Sequence, residues 1–131
     1  MTGRVYLDAS AAVKLVVSEP ESAAVRRFLV GRLTRASSRV MSVELLRAVG
    51  RASPAALDQA RSLLGVMEFI ELDEEIVERA GVLELAALRS LDAIHLASAL
   101  ALGQELDSFV TYDARQADAA RALGLTVEAP T

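Results

Sequence analysis

Arg4-Val5-Tyr6-Leu7-Asp8 decides how the chain is read, and it runs straight into Ala9-Ser10-Ala11-Ala12-Val13-Lys14-Leu15-Val16-Val17. Val5, Tyr6 and Leu7 are apolar in succession, which suits a strand covered on both faces, and the alanine-rich continuation suits a helix. Asp8 is therefore predicted at the carboxyl end of a strand, where open α/β sheets keep their ligand sites. Asp8 or Ser10 is equally suited to capping the helix that follows. The two readings separate only if other acids gather at the same edge.

Beyond this stretch the alternation of strand and helix repeats. Ser18-Glu19-Pro20-Glu21 is a break with Pro20 in the first turn of a second helix, which Gly31 closes. A short strand is predicted over 33–37, and Ser37 or Ser38 then caps a helix reaching about Ala52, on which Val40, Glu44, Arg47 and Arg51 share a face. Ser53-Pro54 starts a fourth helix that ends near Gly65, residues 67–72 read as a strand, and Asp73 caps the next helix. The run Leu88 to Leu100 is apolar nearly all round, as in a helix packed centrally, and Gly103 stops it. Residues 108–112 read as a buried strand leading to Asp113, followed by a helix from about Ala114 to Leu123 and a last strand over 125–127. Strands alternating with helices require crossover connections, so the class is α/β with a largely parallel sheet.

The 131 residues are the size of one domain, expected to span 1–131 without linker or repeat. Aromatic residues make up only 4% and tryptophan is absent, which favours small, closely packed helices over a β-sandwich. With no cysteine, disulfides, thiolate catalysis and cysteine-ligated metals are excluded. No stretch has the length and apolarity of a membrane span and the N-terminus lacks a signal-peptide pattern, so no membrane association and a cytoplasmic location are expected. A net charge of −4 argues against a surface coated for nucleic acid, although 13 of the 14 basic residues are arginine, the side chain best shaped for phosphate. Charge alone leaves RNA binding undecided.

The chemistry rests on four acids. Asp8 and Asp113 follow strands at one edge of the predicted sheet, Glu44 lies in a helix that begins beside that edge, and Asp92 stands in the first turn of a helix otherwise almost without charge. Each is explicable as a cap, Glu44 least well. If they converge, their mutual repulsion calls for a hard divalent cation, and oxygen-only ligation points to Mg²⁺ or Mn²⁺. Zinc is disfavoured by the lack of cysteine and the single histidine. Nucleases, phosphatases and phosphoryl-transfer receivers all gather acids in this way. A haloacid-dehalogenase-type phosphatase would need a second Asp where Ser10 stands, and a receiver domain an acidic pair near the start.

Val5-Tyr6-Leu7-Asp8-Ala9-Ser10-Ala11, Ser42-Val43-Glu44-Leu45, Leu88-Arg89-Ser90-Leu91-Asp92-Ala93-Ile94-His95-Leu96-Ala97 and Val110-Thr111-Tyr112-Asp113 resemble the four motifs of PIN-domain nucleases in order and separation. The third run and the length resemble the VapC-type toxins of toxin–antitoxin pairs. The resemblance implies a PIN-like three-layer sandwich, with a short parallel sheet of four to five strands flanked by helices. It further implies an Mg²⁺-dependent endoribonuclease, Mn²⁺ substituting, that hydrolyses RNA with metal-activated water. Asp8, Glu44, Asp92 and Asp113 would be its catalytic and metal-binding residues. A homodimer and a VapB-type antitoxin partner are implied as well.

Around these four, Asp118 is either an auxiliary acid or an exposed helix residue, and Ser10 and Thr111 either orient the site or satisfy backbone donors. His95 is expected to be buried and structural, and Arg47 and Arg51 are candidates to hold RNA or are simply solvated. The alternatives are a catalytically inactive PIN-like module that binds RNA or protein, and a small metal-dependent phosphatase.

Overall fold

The computed structural model describes residues 3–31, 34–84 and 88–131. Five strands, β1 (Arg4–Leu7), β2 (Thr34–Ser38), β3 (Glu68–Ile70), β4 (Leu106–Val110) and β5 (Val127–Glu128), form one sheet in the order β3-β2-β1-β4-β5. Every pairing is parallel. Among the described residues seven α-helices connect and cover them: α1 (Ala9–Ala12), α2 (Ser22–Leu29), α3 (Val40–Ala52), α4 (Leu57–Gly65), α5 (Glu74–Gly81), α6 (Ser90–Ala101) and α7 (Ala114–Ala122). From β1 the chain winds outward through β2 to β3, then crosses back to β4 and on to β5. The winding direction therefore reverses between β1 and β4, the place where doubly wound sheets open a crevice.

The central strand is apolar on both faces because both are covered. Val5 and Leu7 enter one core cluster with Val25, Met41, Leu45 and Val49 from α2 and α3, whereas Tyr6 enters a second cluster with Leu96, Phe109 and Ala120. The Tyr6 and Phe109 rings stack with centroids 5.0 Å apart and planes 6° apart. Helices α1–α4 thus form one outer layer and α6 with α7 the other, with α5 packed on α6. This is the expected three-layer α/β arrangement.

Element ends depart from the sequence expectation where pairing or capping decides. The strand predicted over 33–37 covers Thr34–Ser38, and Leu33 lies outside the described residues. The strand predicted over 67–72 is limited to Glu68–Ile70, because pairing with β2 stops at Ser38↔Ile70 and Asp73 already caps α5 through Ile76 N, 2.9 Å away. β4 starts earlier than predicted and ends at Val110, where β1 ends opposite it at Leu7, so Asp113 sits beyond the strand as the cap of α7. The last strand is Val127–Glu128 rather than 125–127, since Phe109 and Val110 pair with these two residues. Neither serine is the N-cap residue of α3, a place held by Arg39. Ser38 Oγ accepts from Val40 N at 3.3 Å, whereas the Ser37 hydroxyl donates to Leu7 O at 2.6 Å. Gly31 ends α2 with φ +79°, a left-handed conformation that favours glycine.

Among the described residues no helix is long and apolar enough to cross a membrane. On α3, Leu45 is fully buried and Val43 largely exposed. Leu45→Ala should therefore cost ~2–5 kcal/mol in urea unfolding, whereas Val43→Ala should stay within ~0.5 kcal/mol. Equal effects would contradict this assignment of the helix faces.

Candidate active site

All four sequence-predicted acids stand at the carboxyl edge of the sheet. Asp8 follows β1 directly, and its N–H continues the pairing by donating to Val110 O at 3.3 Å. Asp113 follows β4 through Thr111 and Tyr112. Helix α6 leads into the start of β4, so its first turn, carrying Asp92, lies at the opposite, carboxyl edge. Helix α3 leaves β2 from that edge and carries Glu44 in its second turn.

Hydrogen bonds link these positions. Asp8 is only 5% exposed, and its Oδ1 accepts from Ser10 Oγ at 2.6 Å and from Ala11 N at 3.1 Å while Oδ2 accepts from the Thr111 hydroxyl. Thr111 Oγ1 in turn accepts from Asp113 N at 3.1 Å. Asp113 Oδ1 caps α7 by accepting from Arg115 N at 2.9 Å and Gln116 N at 3.2 Å. The buried Gln116 side chain then reaches α6, its Nε2 donating to Asp92 O at 3.5 Å, and Asp92 Oδ2 accepts from Arg89 N at 3.3 Å. Glu44 belongs to a second chain of contacts: its Oε1 lies 2.6 Å from His95 Nε2, and His95 Nδ1 lies 2.7 Å from the Tyr6 hydroxyl.

Capping and site formation thus coexist. Asp8, Asp92 and Asp113 each accept backbone donors at a helix start, as the sequence allowed, whereas Glu44 caps nothing. Several acids elsewhere are held by basic side chains. Glu68 and Glu105 hold Arg4, Glu19 and Glu21 hold Lys14, and Glu71, Asp58, Glu75 and Asp118 hold arginines. Among the described residues no lysine or arginine pairs with Asp8, Glu44, Asp92 or Asp113. Burial pushes the Asp8 carboxyl above the usual carboxylate range, although the Ser10 and Thr111 hydroxyls oppose that rise by favouring the ionised form.

The donor set fits a hard cation in kind: oxygens at one edge without an internal counter-charge. Buried Gln116 Oε1, on the side chain that touches Asp92, also has no hydrogen-bond partner, and such orphaned acceptors are rare. The protein does not close a cage, however. Among the described residues no three His, Asp or Glu side chains are grouped so as to hold an ion.

The neighbouring candidates divide. Ser10 and Thr111 both bond the Asp8 carboxylate, and His95 is buried at 2% exposure. Asp118 is an exposed acid on α7, 3.7 Å from Arg121, in a groove it shares with Asp113. Arg47 and Arg51 line a groove of about 530 Å³ with Glu44, Val40, Val43 and Leu91. Sequence reasoning missed Tyr6 and Gln116. Gln116 carried a signal, a polar residue one turn from Ala120 on the buried face of α7; the Tyr6 hydroxyl, inside an apolar strand run, carried none.

Residues 5–122 match the model of the PIN domain family. The protein named ribonuclease VapC46 of Mycobacterium tuberculosis is 44% identical over 127 residues, covering 97% of this chain and 98% of that one. In fold, the crystal structure of Mycobacterium tuberculosis VapC20, described as a toxin cleaving the sarcin–ricin loop, aligns with a TM-score of 0.76 at 14% identity, over 93% of this chain and 96% of that one. VapBC2 of Rickettsia felis, solved with a DNA fragment from its promoter, aligns with a TM-score of 0.70 at 18% identity, over 98% and 99%. With the four acidic motifs at one sheet edge and both family and relative matched over most of its length, the chain belongs to the PIN-domain family, among its VapC-type members.

Proposed function

We propose that the protein is a divalent-metal-dependent endoribonuclease and the toxin of a VapBC-type pair, with Asp8, Glu44, Asp92 and Asp113 as its metal ligands and catalytic residues. The observation that carries this reading is the place these acids share: strand ends and helix starts bring all four to the carboxyl edge of one parallel sheet, with Asp8 only 5% exposed there. Neighbouring carboxylates cannot all remain ionised cheaply unless a cation joins them. Mg²⁺, with Mn²⁺ as substitute, suits oxygen donors, and it commonly keeps waters and takes substrate phosphate rather than a full protein cage. Zinc is disfavoured, because cysteine is absent and His95 already contacts Glu44 and Tyr6. Such an ion supplies Lewis-acid polarisation of the phosphoryl group and activation of water at neutral pH.

The chain's own residues do the positioning. Ser10 and Thr111 aim the Asp8 carboxylate and favour its ionised form, and the capping bonds of Asp92 and Asp113 fix their side chains at the helix starts. Arg47 and Arg51, next to Glu44, offer cationic contacts to the phosphates of single-stranded or looped RNA. The names of the curated relatives support RNA as the substrate class, and the VapBC structure supports a VapB-type antitoxin as partner. Exposed Leu72, Val77 and Val82 around α5 leave apolar surface for a second copy, which supports a homodimer.

With Mg²⁺, cleavage of RNA should leave a 5′-phosphate and a 3′-hydroxyl, EDTA should abolish it, and Asp92→Asn should lower kcat by ~10²–10³-fold, the scale seen when a group stabilising transition-state charge is lost. Cyclic-phosphate ends or full activity in EDTA, read by end-labelling, would reject the mechanism. A second outcome concerns stability. Because burial opposes ionisation of Asp8, metal-free Asp8→Asn should melt a few degrees above the metal-free parent at pH 8, ~1 kcal/mol of relieved desolvation. The gain should shrink as pH falls through the raised Asp8 value and vanish below the ordinary carboxylate range, where the group is protonated folded and unfolded alike. A variant that melts well below the parent would make Asp8 a structural cap. Sedimentation at micromolar concentration should show a dimer, and a monomer alone would contradict the pairing.

A further inference from the structure

We infer that Tyr6 and His95 form a relay whose task is to hold Glu44, making His95 a positioning residue of the site; this rests on Glu44 being a metal ligand. The His95 ring is 2% exposed on α6, and both its nitrogens are engaged, Nε2 with Glu44 Oε1 at 2.6 Å and Nδ1 with the Tyr6 hydroxyl at 2.7 Å. The Tyr6 hydroxyl also accepts from Ser38 N at 3.0 Å, and its ring meets the imidazole edge-on with centroids 5.7 Å apart.

A carboxylate at Glu44 and a neutral imidazole give the relay one order. Ionised Glu44 offers only acceptors, so His95 Nε2 carries the proton and donates. In the neutral ring Nδ1 is then an acceptor, and the proton that fills it is that of the Tyr6 hydroxyl. Ser38 N–H, at the end of β2, completes the chain. With that tautomer the order runs Ser38 N–H to Tyr6, Tyr6 to His95, and His95 to Glu44, every member satisfied.

A buried network of this kind has a specific consequence for Glu44. Glutamate has three rotatable torsions, and on an exposed helix face it would sample many placements. Here one carboxylate oxygen is tied to a ring that is buried on α6 and bonded to Tyr6 of the central strand. The carboxylate retains 25% side-chain exposure, which leaves its outer side open to an ion. The other three acids are fixed by backbone donors at helix starts; Glu44, in the second turn of α3, has no such donor and is fixed by imidazole instead.

The test is a calorimetric titration of the metal-free full chain with Mn²⁺, paired with RNA cleavage. His95→Phe should weaken Mn²⁺ binding ~10–100-fold, the usual cost of removing an outer partner of a metal ligand. His95→Gln, whose amide nitrogen can stand near the place of Nε2, should recover much of that loss. In a Glu44→Gln background His95→Phe should add nothing further, because the relay acts only through Glu44. Parent affinity in His95→Phe, an equal loss in the Glu44→Gln background, or His95→Gln no better than His95→Phe would overturn the inference. Should His95→Phe fail to fold, Tyr6→Phe carries the test: weaker Mn²⁺ binding that disappears in Glu44→Gln supports the relay, and parent affinity overturns it. Parent-level Mn²⁺ binding in Glu44→Gln alone would instead remove Glu44 from the ligand set, a failure of the underlying reading.

Discussion

The pairing of β1 with β4 is the constraint on which the site depends. From Val5↔Ser108 it runs in register to Leu7↔Val110 and is extended by the Asp8 N–H on Val110 O at 3.3 Å, so the carboxylate is delivered to the point where the winding of the sheet reverses. Because the strand is hidden on both faces, Asp8 has little solvent. The hydroxyls of Ser10 and Thr111 and the N–H of Ala11 favour its ionised form against that burial. Thr111 comes from the neighbouring strand end, so the contact that satisfies Asp8 also fixes how Asp113 leaves β4. One strand pairing therefore sets two of the four acids.

The other two are brought in by helices, and each is anchored differently. Asp92 is held by its own helix start and by Gln116 reaching across from α7 to its carbonyl. Glu44 is held by His95 from α6 and, through it, by Tyr6 of the central strand. The two outer layers are thereby joined through the sheet by polar contacts as well as apolar packing. Buried polar networks raise the cost of a wrong arrangement more than they add to net stability. That trade suits an edge where position matters more than strength.

Much of this was legible in the sequence because the physics there is local. Unbroken apolar runs ending on Asp8 and near Asp113 marked covered parallel strands, whereas the proline signals marked helix starts only approximately: Ser53-Pro54 opens a 3₁₀ turn over Pro54–Ala56 that leads into α4, and Pro20 precedes α2. The acidic positions were legible for the same reason, since a lone Asp92 in an otherwise apolar helix demands an explanation. What was not legible is tertiary. Strand ends such as Val110 are set by the partner strand, not by local propensity. The role of His95 was half read: burial follows from the apolar helix, but its contact with Glu44, some fifty residues away in sequence, is visible only once α3 and α6 meet. Tyr6 is hidden further, because in a strand its ring reads as core and its hydroxyl is silent until a partner is placed beside it.

The central claim is that Asp8, Glu44, Asp92 and Asp113 constitute one cation site. Anomalous diffraction from crystals soaked in Mn²⁺ addresses it most directly. A peak at the carboxyl edge, bonded to oxygens of at least two of these side chains and retained when Ca²⁺-free buffer and low salt are used, is the predicted result. All four carboxylates keeping only their helix-capping and histidine contacts, with no peak between them at millimolar Mn²⁺, would contradict it.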